Sequence, residues 1–177
     1  MSINVPNQIT IGRLLMSIVF FACLAQYDAK DPAGRTWLLD ISAGIFLLAA
    51  LSDVVDGYLA RKHNQITSFG RVIDPFVDKI LTIGAYTFLA GDGFVNQFGV
   101  KITGVTAWMV VVILARELLV TSLRGMTEAQ GGSFAANVYG KAKMALQSTT
   151  VVWLLLTLAH PEGLAFFKQF NTFLVYL

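Results

Sequence analysis

The chain has 177 residues, of which 55% are hydrophobic and 14% charged, whereas soluble domains are typically about a quarter charged. Its mean hydropathy is +0.64, and several apolar runs approach the ~20 residues that a membrane-spanning helix needs. The small net charge of +2 and the lack of a basic block do not indicate a nucleic-acid partner, and a single cysteine, Cys23, excludes an internal disulfide. Composition therefore predicts an all-α integral membrane protein.

Five apolar runs are long enough to form membrane-spanning helices, and a shorter run follows at the end of the chain. Turn-forming residues separate them, such as Pro32 and Gly34 after the first run and the Gly-rich segment 91–101 after the third. The first helix is predicted to begin with Asn7 or Thr10 as its N-cap and to end near Ala25. The others are predicted at about 37–62, 68–90, 102–124 and 138–159, with a sixth candidate at 164–177. We expect a single domain, residues 1–177, built as a bundle of about six transmembrane helices.

Basic residues are concentrated at the second and fourth connections between helices: Arg61, Lys62, Arg71, Arg124, Lys141 and Lys143. The third connection has only Lys101, although the first carries Lys30 and Arg35. Because basic residues favour cytoplasmic loops, we expect the N-terminus and the even-numbered connections to face the cytoplasm. The protein is thus predicted to be a multi-pass protein of the cell (inner or plasma) membrane.

Four carboxylates lie near the predicted cytoplasmic ends of the second and third helices: Asp53, Asp56, Asp74 and Asp78. The first two are three residues apart and the last two are four apart, so each pair lies on one helical face. A short connection makes the two helices antiparallel neighbours, so the two acidic faces can meet. Carboxylates at such depth in a membrane are costly and are functional-site candidates.

The acidic faces predict a metal site, because the same faces offer no matching set of basic residues. Carboxylate oxygens suit the hard cations Mg²⁺ and Mn²⁺, as well as Ca²⁺, and two ions held about 4 Å apart would clamp a transferring phosphoryl group. A di-iron centre needs Glu-x-x-His pairs, and neither His63 nor His160 follows a glutamate by three residues. The simpler alternative is that the acids are solvated helix ends paired with Arg61, Arg71 and Lys79.

The acids belong to a longer pattern, D-x2-D-G-x2-A-R-x8-G-x3-D-x3-D. It is formed by Asp53, Asp56, Gly57, Ala60, Arg61, Gly70, Asp74 and Asp78. This pattern resembles the motif of the CDP-alcohol phosphotransferase family, with every residue type at its position. The resemblance implies a six-helix membrane enzyme, commonly a homodimer, which transfers a substituted phosphate from a CDP-linked donor to an alcohol and releases CMP.

The resemblance also implies roles for individual residues. The four acids would bind two divalent ions, Mg²⁺ or Mn²⁺, and Asp78 would also be the general base for the attacking hydroxyl. Gly57 would lie against the CDP group and Arg61 would hold its diphosphate, with a hydrogen bond added by Thr67. The other candidates for contact with the donor nucleotide are Gly70, Asn7 and Thr10.

Three further stretches extend the resemblance over most of the chain: VPNQITIGRLL, ARELLVTSLR and YGKAKMALQ. They are similar to family members that use CDP-diacylglycerol as donor and glycerol 3-phosphate as acceptor. The acceptor phosphate needs cations, and Arg116 and Arg124 are eight residues, about two turns, apart on one helix while Lys141 opens the next. We expect these three to bind that phosphate, the alternative being that they are snorkelling anchors at the membrane surface.

Two other functions are compatible with the sequence. One is the same transfer with inositol phosphate, serine or another alcohol as acceptor, because a phosphate-bearing acceptor would use the same cations. The other is a metal or proton transporter that uses the intramembrane carboxylates. A transporter explains the acids, but it does not explain Gly57, Arg61 and Gly70 at their spacings.

Overall fold

The structure is a computed structural model that describes residues 5–31, 35–62, 68–130 and 138–161, without the side chains of 5–7, 54, 56–62, 68–72, 128 and 138–142. The described residues form five α-helices and one short 3₁₀ turn, Asp92–Phe94. The helices are α1 (Val5–Ala25), α2 (Thr36–Lys62), α3 (Ser68–Leu89), α4 (Ala107–Ala129) and α5 (Val138–Ala159). The predicted sixth helix, 164–177, lies outside the described residues.

The predicted bounds of α2, α3 and α5 are confirmed to within a residue. The predicted start of α1 is wrong, because the helix already includes Val5 and neither Asn7 nor Thr10 is its N-cap. Pro6 did not delay the helix, since proline lacks only an N–H that has no helical partner in the first turn. Pro75 lies inside α3, beyond its first turn.

The helix α4 begins and ends five residues later than predicted, at 107 and 129 instead of 102 and 124. Before it, Gly104 adopts a φ of +71°, a left-handed conformation that favours glycine. The Thr103 hydroxyl donates to the Leu89 carbonyl at 2.8 Å, so the chain first closes onto the end of α3. At its other end the helix continues through Gly125, since one glycine costs only about 1 kcal/mol in a helix.

The bundle is organised around α1 and α2. α1 packs against α2 and α3, α2 also packs against α5, and α3 contacts both α4 and α5. The core between these helices is apolar and includes Phe20, Leu24, Leu39, Phe46, Leu81, Leu154 and Leu155. α4 instead exposes large apolar side chains: Trp108, Val111, Val112, Leu118, Leu119 and Leu123. An exposed apolar face of this kind is typical of a membrane or protein contact.

Two of the described helices contain stretches long and apolar enough to cross a membrane, Gln8–Ala25 and Thr36–Asp53. α5 contains a shorter apolar stretch, Lys143–Ala159. The sequence predicted about six spans, and α3 and α4 do not meet the same criterion within the described residues. Both helices carry charged residues along their length, among them Asp74 and Asp78 in α3.

Loop contacts close the end of the bundle opposite the acidic residues. The Ala29 amide donates to the Gly93 carbonyl at 2.8 Å, and the Tyr27 and Phe94 rings are 5.0 Å apart. His160 Nε2 lies 3.0 Å from Asp40 Oδ1. Asp40 precedes Asp53 by 13 residues on α2, a rise of about 20 Å along the helix axis.

α1 and α3 approach each other closely at Gly84. A Cβ atom on Gly84 would lie 2.3 Å from Cζ of Phe21, which is too short for a non-bonded contact. Phe21 is itself stacked on Phe88, with ring centroids 5.5 Å apart and planes inclined by 11°. Gly84 therefore leaves the space on α3 that the Phe21 ring of α1 fills.

We expect Gly84→Ala to destabilise the protein by about 1–3 kcal/mol, the usual range for overpacking. Gly44→Ala is a matched control, because no atom lies within 4 Å of the Cβ position on Gly44. Both changes raise helix propensity by the same amount, so the difference between their effects on stability measures the contact with Phe21. Thermal unfolding of the purified protein in detergent measures it, and equal stability of the two variants would contradict the close approach.

Candidate functional site

A buried arginine lies where the acidic ends of α2 and α3 meet α1. Arg13 is 0% exposed. Its Nη1 donates to Oδ1 of Asp53 at 2.5 Å, and its Nη2 lies 3.9 Å from Oδ1 of Asp78. One guanidinium therefore contacts one carboxylate from each acidic helix, Asp53 of α2 and Asp78 of α3.

A second contact from α1 reaches the same group of acids. The Thr10 hydroxyl donates to Oδ1 of Asp74 at 2.5 Å, and Thr10 is 1% exposed. Thr10 and Arg13 are three residues apart and share one face of α1. This face therefore contacts Asp53, Asp74 and Asp78, which are three of the four predicted metal ligands.

The acidic cluster, defined as Asp53, Asp74 and Asp78, is partly open. The Asp53 and Asp78 side chains keep 35% and 31% of their surface exposed. An ionised carboxylate has two oxygens and about four lone-pair sites, and the contact with Arg13 uses Oδ1 of Asp53. The cluster is thus both anchored on α1 and accessible from its other side.

A cavity opens beside Asp78, between α3, α4 and α5. It is an open recess of about 330 Å³, a volume that includes solvent outside the protein, and little of it is enclosed. Its polar lining consists of Asp78, Lys79, Thr82, Glu117, Gln147 and Ser148, and its apolar lining consists of Ile83, Ile113 and Met144. Asp78 belongs to both the acidic cluster and the cavity, so it connects the two.

Polar contacts tie the three helices together around this cavity. Glu117 of α4 pairs through Oε1 with Lys143 of α5 and, at 2.9 Å, with Nη1 of Arg116. Lys79 of α3 donates to the Thr121 hydroxyl on α4. Lys79 was considered as a partner for the acids, and this contact directs it toward α4.

The predicted acceptor-phosphate residues are only partly placed. The Arg116 side chain is 47% exposed and pairs with Glu117, which lines the cavity. Arg124 is exposed on the same helix, eight residues further on. The Lys141 side chain lies outside the described part of the structure, so a joint pocket of these three residues stays a prediction.

Several other predicted site residues fall outside the described side chains: Asn7, Asp56, Gly57, Arg61 and Gly70. Their backbones lie in helices, and Asp56 follows Asp53 by three residues on α2. Thr67 lies outside the described residues altogether. The donor-binding roles of these residues also stay predictions.

The donor set suits a hard divalent cation, because Asp53, Asp74 and Asp78 present carboxylate oxygens from two helices. Among the side chains that the structure describes, no three His, Cys, Asp or Glu residues are close enough to hold a metal ion. The Asp56 side chain is not among those described. Asp53 and Asp78 nevertheless converge on one positive charge, that of Arg13. The chemistry of the site fits a metal, while the predicted four-carboxylate geometry stays a prediction.

Arg13 is the site residue that the sequence analysis missed. The sequence analysis considers basic residues on the faces of the second and third helices, whereas Arg13 lies on the first helix. A sequence signal did exist, since Arg13 is the one charged residue in α1. A lone charge inside a membrane helix is expensive and needs a partner.

Comparison with known proteins agrees with the motif. Residues 3–176 match the family described as CDP-alcohol phosphatidyltransferase. The chain belongs to this family. Members of the family are membrane-bound and use divalent metals. Because the chain belongs to the family, it is an enzyme, a CDP-alcohol phosphatidyltransferase, rather than a metal or proton transporter.

Its relatives include enzymes named CDP-diacylglycerol–glycerol-3-phosphate 3-phosphatidyltransferase. The one from Bacillus subtilis is 39% identical over 162 residues, which cover 86% of this chain and 77% of that protein. The one from Rickettsia bellii is 33% identical over 144 residues, covering 81% and 70%. The one from Salmonella typhimurium is 31% identical over 157 residues, covering 88% and 78%. The similarity thus extends over most of each protein.

We expect Thr10→Val to lower the free energy of unfolding by about 1–3 kcal/mol, because Asp74 loses a hydrogen bond from a buried hydroxyl. Thr10→Ser keeps the donor and should retain most of the stability. Thr149→Val is a second control, since the exposed Thr149 hydroxyl donates to Ala145 within its own helix. Denaturant or thermal unfolding in detergent gives the values, and a neutral Thr10→Val would contradict the described bond.

Proposed function

We propose that this enzyme transfers the phosphatidyl group of CDP-diacylglycerol to glycerol 3-phosphate, which gives phosphatidylglycerophosphate and CMP. The family supplies the reaction type, and the proposal adds the donor lipid and the acceptor. Relatives that are 31–39% identical carry the name of this reaction, and they support it.

The position of Asp78 carries the proposal. This carboxylate contacts Arg13 in the acidic cluster and also lines the cavity between α3, α4 and α5. A hydroxyl group in that cavity would lie next to a proton acceptor, and phosphates held by the cluster would lie on the other side of the same residue. A general base has to be within hydrogen-bond reach of the proton that it abstracts, and the position of Asp78 beside the cavity supports that role.

The donor is bound by the chain's acidic and motif residues. Asp53, Asp56, Asp74 and Asp78 would hold two divalent ions, Mg²⁺ or Mn²⁺, and these would supply positive charge to the phosphoryl oxygens and to the departing CMP. The CDP group is bound by Gly57, Arg61, Thr67, Gly70, Asn7 and Thr10. Since the Thr10 hydroxyl donates to Asp74, Thr10 contributes to this site by orienting that carboxylate.

The transfer replaces one P–O bond by another. The acceptor's hydroxyl oxygen bonds to the phosphatidyl phosphorus, the bond from that phosphorus to CMP breaks, and Asp78 takes the hydroxyl proton. The acceptor's phosphate is bound by Arg116, Arg124 and Lys141. Two observations support Arg116 in this role: its side chain is exposed, and it pairs with Glu117, which lines the cavity.

The donor and the product are lipids, so the acyl chains stay in the membrane while the headgroups react at its surface. The charge bias of the loops places the reacting end on the cytoplasmic side of the cell membrane, where a soluble phosphorylated acceptor is available. We also propose that the enzyme works as a homodimer, as the family resemblance implies.

We expect Asp78→Asn to lower CMP release by at least about 100-fold, the low end for loss of a general base, because an amide cannot accept the proton. Binding of CDP-diacylglycerol should be retained. Asp40→Asn is the matched control, since Asp40 is a carboxylate at the far end of α2 that pairs with His160, and it should stay active. The assay is CMP release with CDP-diacylglycerol, glycerol 3-phosphate and Mg²⁺, and an active Asp78→Asn enzyme would contradict the base assignment.

We expect Arg116→Ala to raise KM for glycerol 3-phosphate about tenfold or more, since a hydrogen bond to a charged group contributes about 1.5–3 kcal/mol. KM for CDP-diacylglycerol should change far less. Arg35→Ala is the control, because Arg35 is an exposed arginine that donates to the Gln26 carbonyl at the other end of the bundle. Steady-state kinetics with each substrate varied in turn measure both values. An equal loss for the two substrates would argue against a phosphate pocket at Arg116.

A further inference from the structure

Arg13 is a permanent cation enclosed by helices. The arginine guanidinium stays protonated in proteins, and a buried charge is costly unless an opposite charge and hydrogen bonds compensate it. Here the compensation includes Asp53 at 2.5 Å and Asp78 at 3.9 Å. These partners come from α2 and α3, while Arg13 comes from α1, so the charge balance of the site depends on three helices.

The two carboxylates also need Arg13. Asp53 and Asp78 both carry a negative charge when ionised, and like charges brought together from two helices repel each other. A metal-free protein has no divalent ion to offset this repulsion. A buried guanidinium within contact distance of both carboxylates offsets it with a residue of the chain itself.

We propose that Arg13 is a positioning residue that acts as an internal counter-cation: it holds Asp53 and Asp78 in place in the metal-free enzyme, so that the ligands are assembled before divalent ions bind. The inference rests on the metal site of the proposed function, and it adds a residue outside the acidic motif. Arg13 thereby preassembles the site but lowers its metal affinity, because its positive charge repels a nearby metal ion.

Arg13 holds the carboxylates and also repels a metal ion. Both effects predict that a variant without the charge is stabilised more strongly by metal than the wild type. In Arg13→Met the carboxylates lose their counter-cation, so the metal-free protein becomes less stable. A divalent ion then supplies the missing positive charge and meets no repulsion from the guanidinium. Metal ions should therefore stabilise Arg13→Met more than they stabilise the wild type.

The test compares the thermal unfolding of the full chain, purified in detergent, in EDTA and over a series of Mg²⁺ or Mn²⁺ concentrations. We expect the unfolding temperature of Arg13→Met in EDTA to be roughly 6–20 °C below that of the wild type, as for a broken buried ion pair in a protein of this size. Saturating metal should recover much of this loss, so the metal-induced rise is larger in the variant. Arg13→Lys keeps the charge, and its metal-induced rise should resemble that of the wild type.

The double variant Arg13→Met/Asp53→Asn keeps the inference testable if Arg13→Met does not fold. It removes the cation together with one of the repelling carboxylates, so in EDTA it should be more stable than Arg13→Met alone. A double variant that is no more stable, or that also fails to fold, would show that the packing of the arginine matters rather than its charge, and would overturn the inference.

The outcomes separate the two proposals. An equal metal-induced rise in the wild type and in Arg13→Met is the result of a merely structural arginine, and it would overturn the role of Arg13 while the metal site stands. No metal-induced rise in either protein would overturn the metal site itself, and the counter-cation role with it.

Discussion

The ion pairing of Arg13 with Asp53 and Asp78 is the interaction on which the reacting end of this enzyme depends. A guanidinium with no exposed surface is tolerated among helices only when negative charge compensates it. The carboxylates in turn come from two different helices and would repel each other without it. The close packing of α1 against α3 at Gly84 helps to fix the helix that carries Arg13 and therefore affects the site indirectly.

The site combines this charge cluster with a cavity, and Asp78 belongs to both. On one side it faces Arg13, and on the other it lines a space bounded by α3, α4 and α5. The contact between Glu117 and Lys143 ties α4 to α5 at the cavity wall. A lipid donor bound at the cluster and a soluble acceptor in the cavity would then meet at one carboxylate, which is the arrangement that phosphatidyl transfer needs.

Most of the fold and the acidic motif could be predicted because both depend on local patterns. Apolar runs bounded by polar residues placed α2, α3 and α5 to within a residue. Helical spacing predicted the acids on facing sides of two helices, and Arg13 contacts one acid from each of them. The start of α1 and the bounds of α4 were predicted wrongly, since a tolerated proline at Pro6 and the loop contact of Thr103 decide them. Arg13 was missed because its partners are 40 and 65 residues away in sequence, and only the packing of α1 brings them together.

The most direct test of the proposed function is CMP release by the purified wild-type enzyme with CDP-diacylglycerol, Mg²⁺ and one acceptor at a time. The acceptors are glycerol 3-phosphate, inositol phosphate, serine and glycerol. We expect release with glycerol 3-phosphate and little with the others, together with formation of phosphatidylglycerophosphate. Release with another alcohol but not with glycerol 3-phosphate would contradict the proposed acceptor and the phosphate-binding role of Arg116, Arg124 and Lys141.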